Sequence, residues 1–88
     1  MTLDHVKAIL VEEKVPQWAY SIGGLGSGEC VGINHDGSGW WEVYFSERGE
    51  KRNIRSFADE DEACALFLSE LESLLAEYGK PIKLLTRN

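Results

Sequence analysis

The most constraining feature of this chain is an amphipathic segment towards its C-terminal end. Apolar residues recur there every three or four positions, which is the spacing of one face of an α-helix. The set is Cys64, Phe67, Leu68, Leu71, Leu74, Leu75 and Tyr78. Asp59 is a suitable N-cap, and Glu62 three residues later completes a pattern like a capping box. Because Gly79 ends the segment and Pro81 prevents it from resuming, the sequence predicts one long helix that covers another element.

A strand pattern at residues 40–46 precedes this helix. Successive side chains of a strand point to opposite faces of the sheet, so the run divides into two sets. The set predicted to face the core is Trp41, Val43 and Phe45, and the set predicted to lie on an open sheet face is Trp40, Glu42, Tyr44 and Ser46. The first set is wholly apolar, whereas the second mixes aromatic residues with a carboxylate.

Two more strands are predicted to pair with this one. Residues 29–34 lie on the other side of a turn at residues 35–39, which contains two glycines and an Asp-Gly step. Residues 51–57 follow a second turn, in which Gly49 suits the left-handed position of a type I turn plus a bulge. Ile54 is expected to point inward from this last strand.

The first part of the chain completes the predicted fold. Residues 2–14 have helical spacing, and the helix ends before Pro16. Residues 17–22 are expected to form a short strand, joined by the glycine-rich residues 23–28 through a hairpin connection. The prediction is one α+β domain over residues 1–88, with an N-terminal helix, an antiparallel meander of three or four strands and a long C-terminal helix.

Acidic residues are concentrated in the C-terminal helix. Seven carboxylates and no Lys or Arg lie in residues 58–79, and the whole chain has a formal charge of −6. Because neutralising phosphates requires clustered basic residues, this charge argues against nucleic-acid binding and favours a basic partner. The densest group is Asp59, Glu60, Asp61 and Glu62. Two interpretations remain open: a solvated cap that interacts with the helix dipole, or a cap that also binds a basic partner.

The predicted open sheet face is a second candidate binding surface. Trp40, Glu42 and Tyr44 have the composition of a binding hot spot, because Trp and Tyr provide a large apolar area with a polar group. Alternatively, the N-terminal helix covers this face, and Trp40 and Tyr44 belong to a second core.

No set of residues predicts catalysis. A nucleophile needs a base within reach, yet Cys30 and His35 are predicted to fall on opposite faces of a strand. Residues 23–28 lead into a strand and lack a following Lys, so they do not match a phosphate-binding loop. Two Cys and two His without close spacing predict no zinc site, and residues 59–62 lack the glycine turn of a calcium loop. We therefore expect no enzyme activity, no cofactor and no metal.

The cellular compartment is inferred from similar absences. The N-terminal residues resemble neither a signal peptide nor a transit peptide, and no window has the roughly 20 apolar residues of a membrane helix. Cys30 and Cys64 are expected to be reduced core thiols, with a disulfide between strand and helix as the alternative. The sequence predicts a cytoplasmic protein without a membrane partner.

A family resemblance suggests a function. The resemblance is carried by residues 41–51, followed by Phe57, residues 62–64 and residues 67–68. In these residues the chain resembles small bacterial immunity proteins encoded beside polymorphic or contact-dependent growth inhibition toxins. The resemblance covers about residues 20–75. It implies a cytoplasmic toxin inhibitor that binds one cognate toxin domain tightly, and the acidic residues are consistent with a toxin that has a basic cleft.

The sequence also suggests two functions other than that of an immunity protein. The order of elements is also similar to that of the double-stranded-RNA-binding domain, which relies on a Lys-rich start to its second helix. Since residues 59–62 are acidic here, RNA binding is not expected. The remaining alternative is a small structural or regulatory homodimer whose interface is the face with Trp40 and Tyr44.

Overall fold

A computed structural model describes residues 1–26 and 28–85. The elements, in chain order, are α1 (Leu3–Glu12), a 3₁₀ turn (Gln17–Ala19), β1 (Tyr20–Ile22), β2 (Cys30–His35), β3 (Trp41–Glu47), β4 (Glu50–Phe57) and α2 (Glu60–Glu77). The predicted α+β class, the two helices and their order around the strands are confirmed, and the described residues contain four strands.

Both ends of α1 have local capping interactions. The Thr2 side chain accepts a hydrogen bond from the backbone N–H of His5 at 3.3 Å. At the other end Lys14 has a positive φ of 55°, and the Val15 N–H donates to the Leu10 carbonyl at 3.0 Å. This is the bond pattern of a Schellman motif, so the helix has ended before Pro16.

The longer helix α2 buries the predicted apolar face. Of the seven predicted residues, only Tyr78 is exposed, and its ring instead contacts Trp18 with ring centroids 5.0 Å apart. Gly79 adopts a φ of 76° and the Lys80 N–H donates to the Leu75 carbonyl at 2.8 Å, which closes the helix as the sequence predicts. Neither described helix combines the length and hydrophobicity that crossing a membrane requires.

The sheet is mixed, which differs from the predicted antiparallel meander. Strand order follows chain order, but β1 is parallel to β2, with Tyr20 opposite Val31 and Ile22 opposite Ile33. A hairpin joins antiparallel strands only, so the predicted hairpin connection at residues 23–28 is wrong. The chain has to return along the sheet before β2 begins. Ser27, part of the predicted connection, lies outside the described residues.

The β3–β4 hairpin also differs from the prediction in detail. Arg48 and Gly49 both have positive φ, 52° and 77°, between the paired residues Glu47 and Glu50. A two-residue loop with both φ values positive is a type I′ turn, so Gly49 takes the predicted left-handed position in a different turn type.

A bulge in β4 changes which side chains face the core. Val43 pairs with Arg55 but Phe45 pairs with Arg52, so β4 contains an extra residue, and Asn53 has a φ of 54°. Because an extra residue reverses the alternation, Ile54 points away from the core and is 51% exposed. The prediction that Ile54 points inward is wrong.

The main core lies between the sheet and the helices. α2 lies across β2, β3 and β4, and α1 packs beside α2. The first turn of α1 contacts the first turn of α2, whereas the 3₁₀ turn after α1 contacts the end of α2. The two helices therefore have their N-terminal ends on the same side of the molecule.

Candidate functional site

The acidic cluster at the start of α2 first serves to join the two helix N-termini. The Asp59 side chain accepts a hydrogen bond from the Asp61 N–H at 3.2 Å, and so caps its own helix. The Glu60 carboxylate accepts from the Leu3 N–H at 2.8 Å, at the start of α1. Asp61 forms an ion pair of 2.8 Å with the α-amino group of Met1, and this partner raises the pKa of that amino group. Three of the four clustered carboxylates therefore have intramolecular partners.

The other acidic residues of α2 do not form one continuous negative face. Glu70 is 3.5 Å from the Arg55 guanidinium on β4. Glu72 instead accepts from the backbone N–H groups of Leu84 and Leu85, at 2.5 and 2.7 Å, and so anchors the segment after the helix. Residues two apart on a helix point about 200° apart, so these carboxylates lie on different sides of α2. The charge that remains exposed on the first turn of α2 is centred on Glu62 and Asp59.

Tyr44 lies on the predicted sheet face, but that face is neither open nor covered by α1. The Tyr44 side chain is 2% exposed and Ser46 is fully buried. Residues 23–26, here called the glycine segment, pack over both. The Tyr44 hydroxyl donates to the Gly24 carbonyl and accepts from the Gly24 N–H at 3.1 Å, and the Gly26 N–H donates to Ser46 Oγ at 3.2 Å. Burial raises the pKa of Tyr44. Tyr44 is therefore not available as a contact residue while the glycine segment is in place.

Glu42 is also occupied by neighbours on this face. Its carboxylate forms an ion pair with Lys51 and accepts a weak hydrogen bond from Asn34 Nδ2 at 3.5 Å. The bond to Glu42 raises the pKa of Lys51, whose Nζ lies 4.6 Å from the centroid of the Tyr44 ring. Glu42 orders the sheet surface, and its remaining accessibility is small.

Trp40 is the predicted aromatic residue that is accessible. It precedes β3 and is 49% exposed. Its neighbour Trp41 pairs with Phe57, two residues before Asp59, so Trp40 and the start of α2 lie at the same end of the sheet. We call this surface the acidic–aromatic end and define it by Trp40, Asp59 and Glu62. It combines a large apolar side chain with exposed carboxylates.

No protein-family model matches the chain, and no match is found among the curated proteins or the solved structures. The chemistry of the acidic–aromatic end is therefore the basis for the functional proposal below.

The two cysteines are buried, and His35 is stacked on an aromatic ring. Cys30 and Cys64 are free, buried thiols, as expected from the sequence. Burial raises the pKa of Cys30, and raises that of Cys64 to about 11, so both thiols are protonated at neutral pH. The His35 ring is stacked on Trp41, with centroids 4.4 Å apart. Within residues 1–26 and 28–85, no three Cys, His, Asp or Glu side chains are arranged to hold a metal ion.

The network beneath the glycine segment was missed from the sequence, although one signal for it was present. Gly32 lies in the middle of β2, where glycine often marks the close approach of another group. A Cβ atom at this position would overlap the Tyr44 ring. Gly32 and Tyr44 are directly opposite in the β2–β3 register, so the absent side chain leaves room for the ring. Gly32 and Tyr44 together allow close packing on the sheet face that carries Tyr44.

Proposed function

We propose that this chain is a non-catalytic binding protein that neutralises a cognate bacterial toxin domain through the acidic–aromatic end. The observation that carries the proposal is the position of Trp40, half exposed at the same end of the sheet as Asp59 and Glu62. Single exposed apolar residues are common on proteins. An exposed Trp at the same end of the sheet as exposed carboxylates is more specific, because one partner could bury the apolar ring and pair with the charges.

The chemistry of this end favours a basic partner surface. Trp is among the residues that contribute most to binding energy when buried, commonly about 2 kcal/mol or more. Its ring also attracts Lys and Arg side chains through cation–π contact, worth roughly 0.5–2 kcal/mol. The exposed carboxylates add attraction to the same cations and accelerate association. A toxin domain with a basic cleft has the matching properties.

The assignment to an immunity protein draws on the sequence resemblance over about residues 20–75. The small size of the chain, its net charge of −6 and the acidic–aromatic end are consistent with an inhibitor that occupies a basic cleft. A cytoplasmic location is part of the proposal, and the two free thiols are typical of a reducing compartment. The homodimer alternative has less support. Its expected interface contains two aromatic residues, Trp40 and Tyr44, and Tyr44 is buried beneath the glycine segment.

The first experiment is capture of the tagged protein's partners from its native host, followed by mass spectrometry. A stoichiometric toxin domain would support the proposal and supply the ligand for binding measurements. Recovery of self-associated protein alone, while a neighbouring toxin is expressed, would overturn it.

Matched variants then test the surface itself. Trp40→Ala and Glu62→Lys are expected to weaken toxin binding at least tenfold, and Glu62→Lys also to slow association at low salt. The controls are Trp18→Ala, which removes another exposed Trp, and Glu77→Lys, which makes the same charge change at the far end of α2. Equal affinities for test and control variants would show that the toxin binds elsewhere.

A further inference from the structure

A small cleft opens between α2 and β4. Its volume is about 90 Å³, and Val43, Phe45 and Leu66 line it. Val43 is buried, whereas Phe45 and Leu66 are only partly buried, so apolar surface remains accessible inside the cleft. Since about 10–15 Å³ of such space holds one water, the cleft has room for one branched aliphatic side chain. It is far smaller than the roughly 300–1,000 Å³ of sites for drug-sized ligands.

Polar groups surround the mouth of this cleft on two sides. Arg55 and Asn53 belong to the β4 side, and Glu70 belongs to the α2 side. Arg55 is opposite Val43 in the sheet register, which directs its side chain to the face that α2 covers. The guanidinium and the Glu70 carboxylate are 3.5 Å apart and both are about half exposed. An ion pair this exposed contributes about 0–1 kcal/mol, so a ligand can replace it at little cost.

Arg55 has more unused donor capacity than its neighbour Arg52. The Arg52 guanidinium contacts two carboxylates, Glu47 at 3.0 Å and Glu50 at 3.3 Å. Among the described residues, the Arg55 guanidinium contacts one carboxylate, that of Glu70, at the long distance of 3.5 Å. A guanidinium has five N–H donors in a planar arrangement that fits a carboxylate with two parallel bonds. The geometry at Arg55 therefore favours an incoming carboxylate.

The charge of β4 identifies the kind of segment that fits beside it. Of its basic residues, Lys51 and Arg52 are held by carboxylates of β3 and of β4 itself, which leaves Arg55 as the most weakly paired cation of this strand within the described residues. β4 is an edge strand, so a polypeptide can approach along it. An acidic segment is complementary.

We infer that the cleft binds a segment of a partner protein in which an aliphatic side chain lies next to an acidic one. The aliphatic side chain fills the space between Phe45 and Leu66, and the carboxylate pairs with Arg55 in place of Glu70. This surface is distinct from the acidic–aromatic end, so the inference does not depend on the proposed toxin.

The test is a titration of the ¹⁵N-labelled protein with acetyl-Asp-Leu-amide, followed by amide chemical shifts. Saturable shifts confined to the residues that line the cleft are expected. Acetyl-Asp-Gly-amide lacks the aliphatic side chain and acetyl-Lys-Leu-amide reverses the charge, so each is expected to bind at least about tenfold more weakly. Absence of shifts, equal binding of the three peptides, or equally tight binding of free L-leucine overturns the inference.

Two pairs of variants locate the binding site. Arg55→Gln is expected to weaken the acetyl-Asp-Leu-amide complex about tenfold, whereas its control Arg52→Gln leaves it unchanged. Leu66→Trp fills the cleft and is expected to abolish binding, whereas Ser69→Trp, at an exposed position of the same helix, does not. An unchanged amide spectrum away from the cleft verifies folding of each variant. Equal effects within a pair, or concentration-dependent β4 shifts that reveal self-association without peptide, also overturn the inference.

Discussion

The backbone N–H of Leu3 donates a 2.8 Å hydrogen bond to the Glu60 carboxylate, so the first turn of α2 caps the first turn of α1. The first N–H groups of a helix have no partner inside the helix, and a carboxylate satisfies one of them while interacting favourably with the helix dipole. Residues 57 positions apart are thereby connected. A carboxylate that sequence reasoning assigned to partner binding has a structural role.

Glu60→Ala tests this role. We expect it to lower the free energy of unfolding by about 1–2 kcal/mol, because it removes a cap and leaves a partly buried N–H without its acceptor. Glu62→Ala, at the exposed position two residues later, is expected to stay within about 0.5 kcal/mol of the natural protein. Urea denaturation of the two variants measures the difference. Equal midpoints would show that the Leu3–Glu60 bond contributes nothing.

Tyr44→Phe tests the attachment of the glycine segment. Loss of the hydroxyl removes both bonds to Gly24, and we expect a loss of stability of about 1 kcal/mol. Because Gly26 packs against the Cys30 thiol, the variant is also expected to react faster with a thiol reagent at Cys30. Cys64, a buried residue of α2, is the internal control. Tyr20→Phe is the matched variant, and the same labelling rate in both would contradict the attachment.

Gly32→Ala tests the packing of the Tyr44 ring. The added methyl group would overlap the ring, and we expect destabilisation of about 1–3 kcal/mol. Gly37→Ala is the comparison, because its φ of 84° strains an alanine by roughly 1 kcal/mol without any steric contact. In a Tyr44→Ala background the cost of Gly32→Ala should largely disappear. A cost that is unchanged there would mean that the ring is not responsible.

The Cys64 thiol is expected to make stability dependent on alkaline pH. Burial, followed by the nearby Glu60 carboxylate, raises its pKa from 9.0 to about 11 in the folded protein. As the pH rises, the thiol ionises first in the unfolded chain. Its contribution to the free energy of unfolding is therefore complete below pH 9 and is lost between about pH 9 and 11. This loss is about 2 kcal/mol by linkage.

Urea denaturation between pH 8 and 11 measures this dependence. Cys64→Ala is expected to reduce the slope of stability against pH, although it also lowers stability at every pH by leaving a small cavity. Cys30, Tyr44 and Lys51 have raised pKa values too and act with the same sign, so a residual slope is expected. Parallel profiles for the variant and the natural protein would refute the assignment to Cys64.

Local patterns were sufficient for most of the secondary structure. The apolar spacing of α2, its Asp59 cap and its Gly79 end all depend on residues within one or two helical turns, and all are present in the structure. The alternation in β3 likewise placed Val43 and Tyr44 on opposite faces. These features are determined by short-range sterics and hydrogen bonds, which a sequence displays directly.

The errors arose where a distant segment or a single unusual backbone angle decides the outcome. An extended strand is compatible with parallel or antiparallel pairing, so nothing within residues 20–22 specified the parallel partner. The bulge at Asn53 reversed the orientation of Ile54 because of a single left-handed residue, which binary patterning does not reveal.

The sequence by itself determined two capped helices, the strands between them and a concentration of carboxylates at the start of α2, because each follows from neighbours along the chain. Only the tertiary structure decided which of those carboxylates have partners within the chain. It placed Glu60 on the N-terminus of α1, covered Tyr44 with the glycine segment and left Trp40 exposed. The physical reason is that burial and hydrogen-bond partners depend on segments brought together by the fold, whereas caps and periodicity do not.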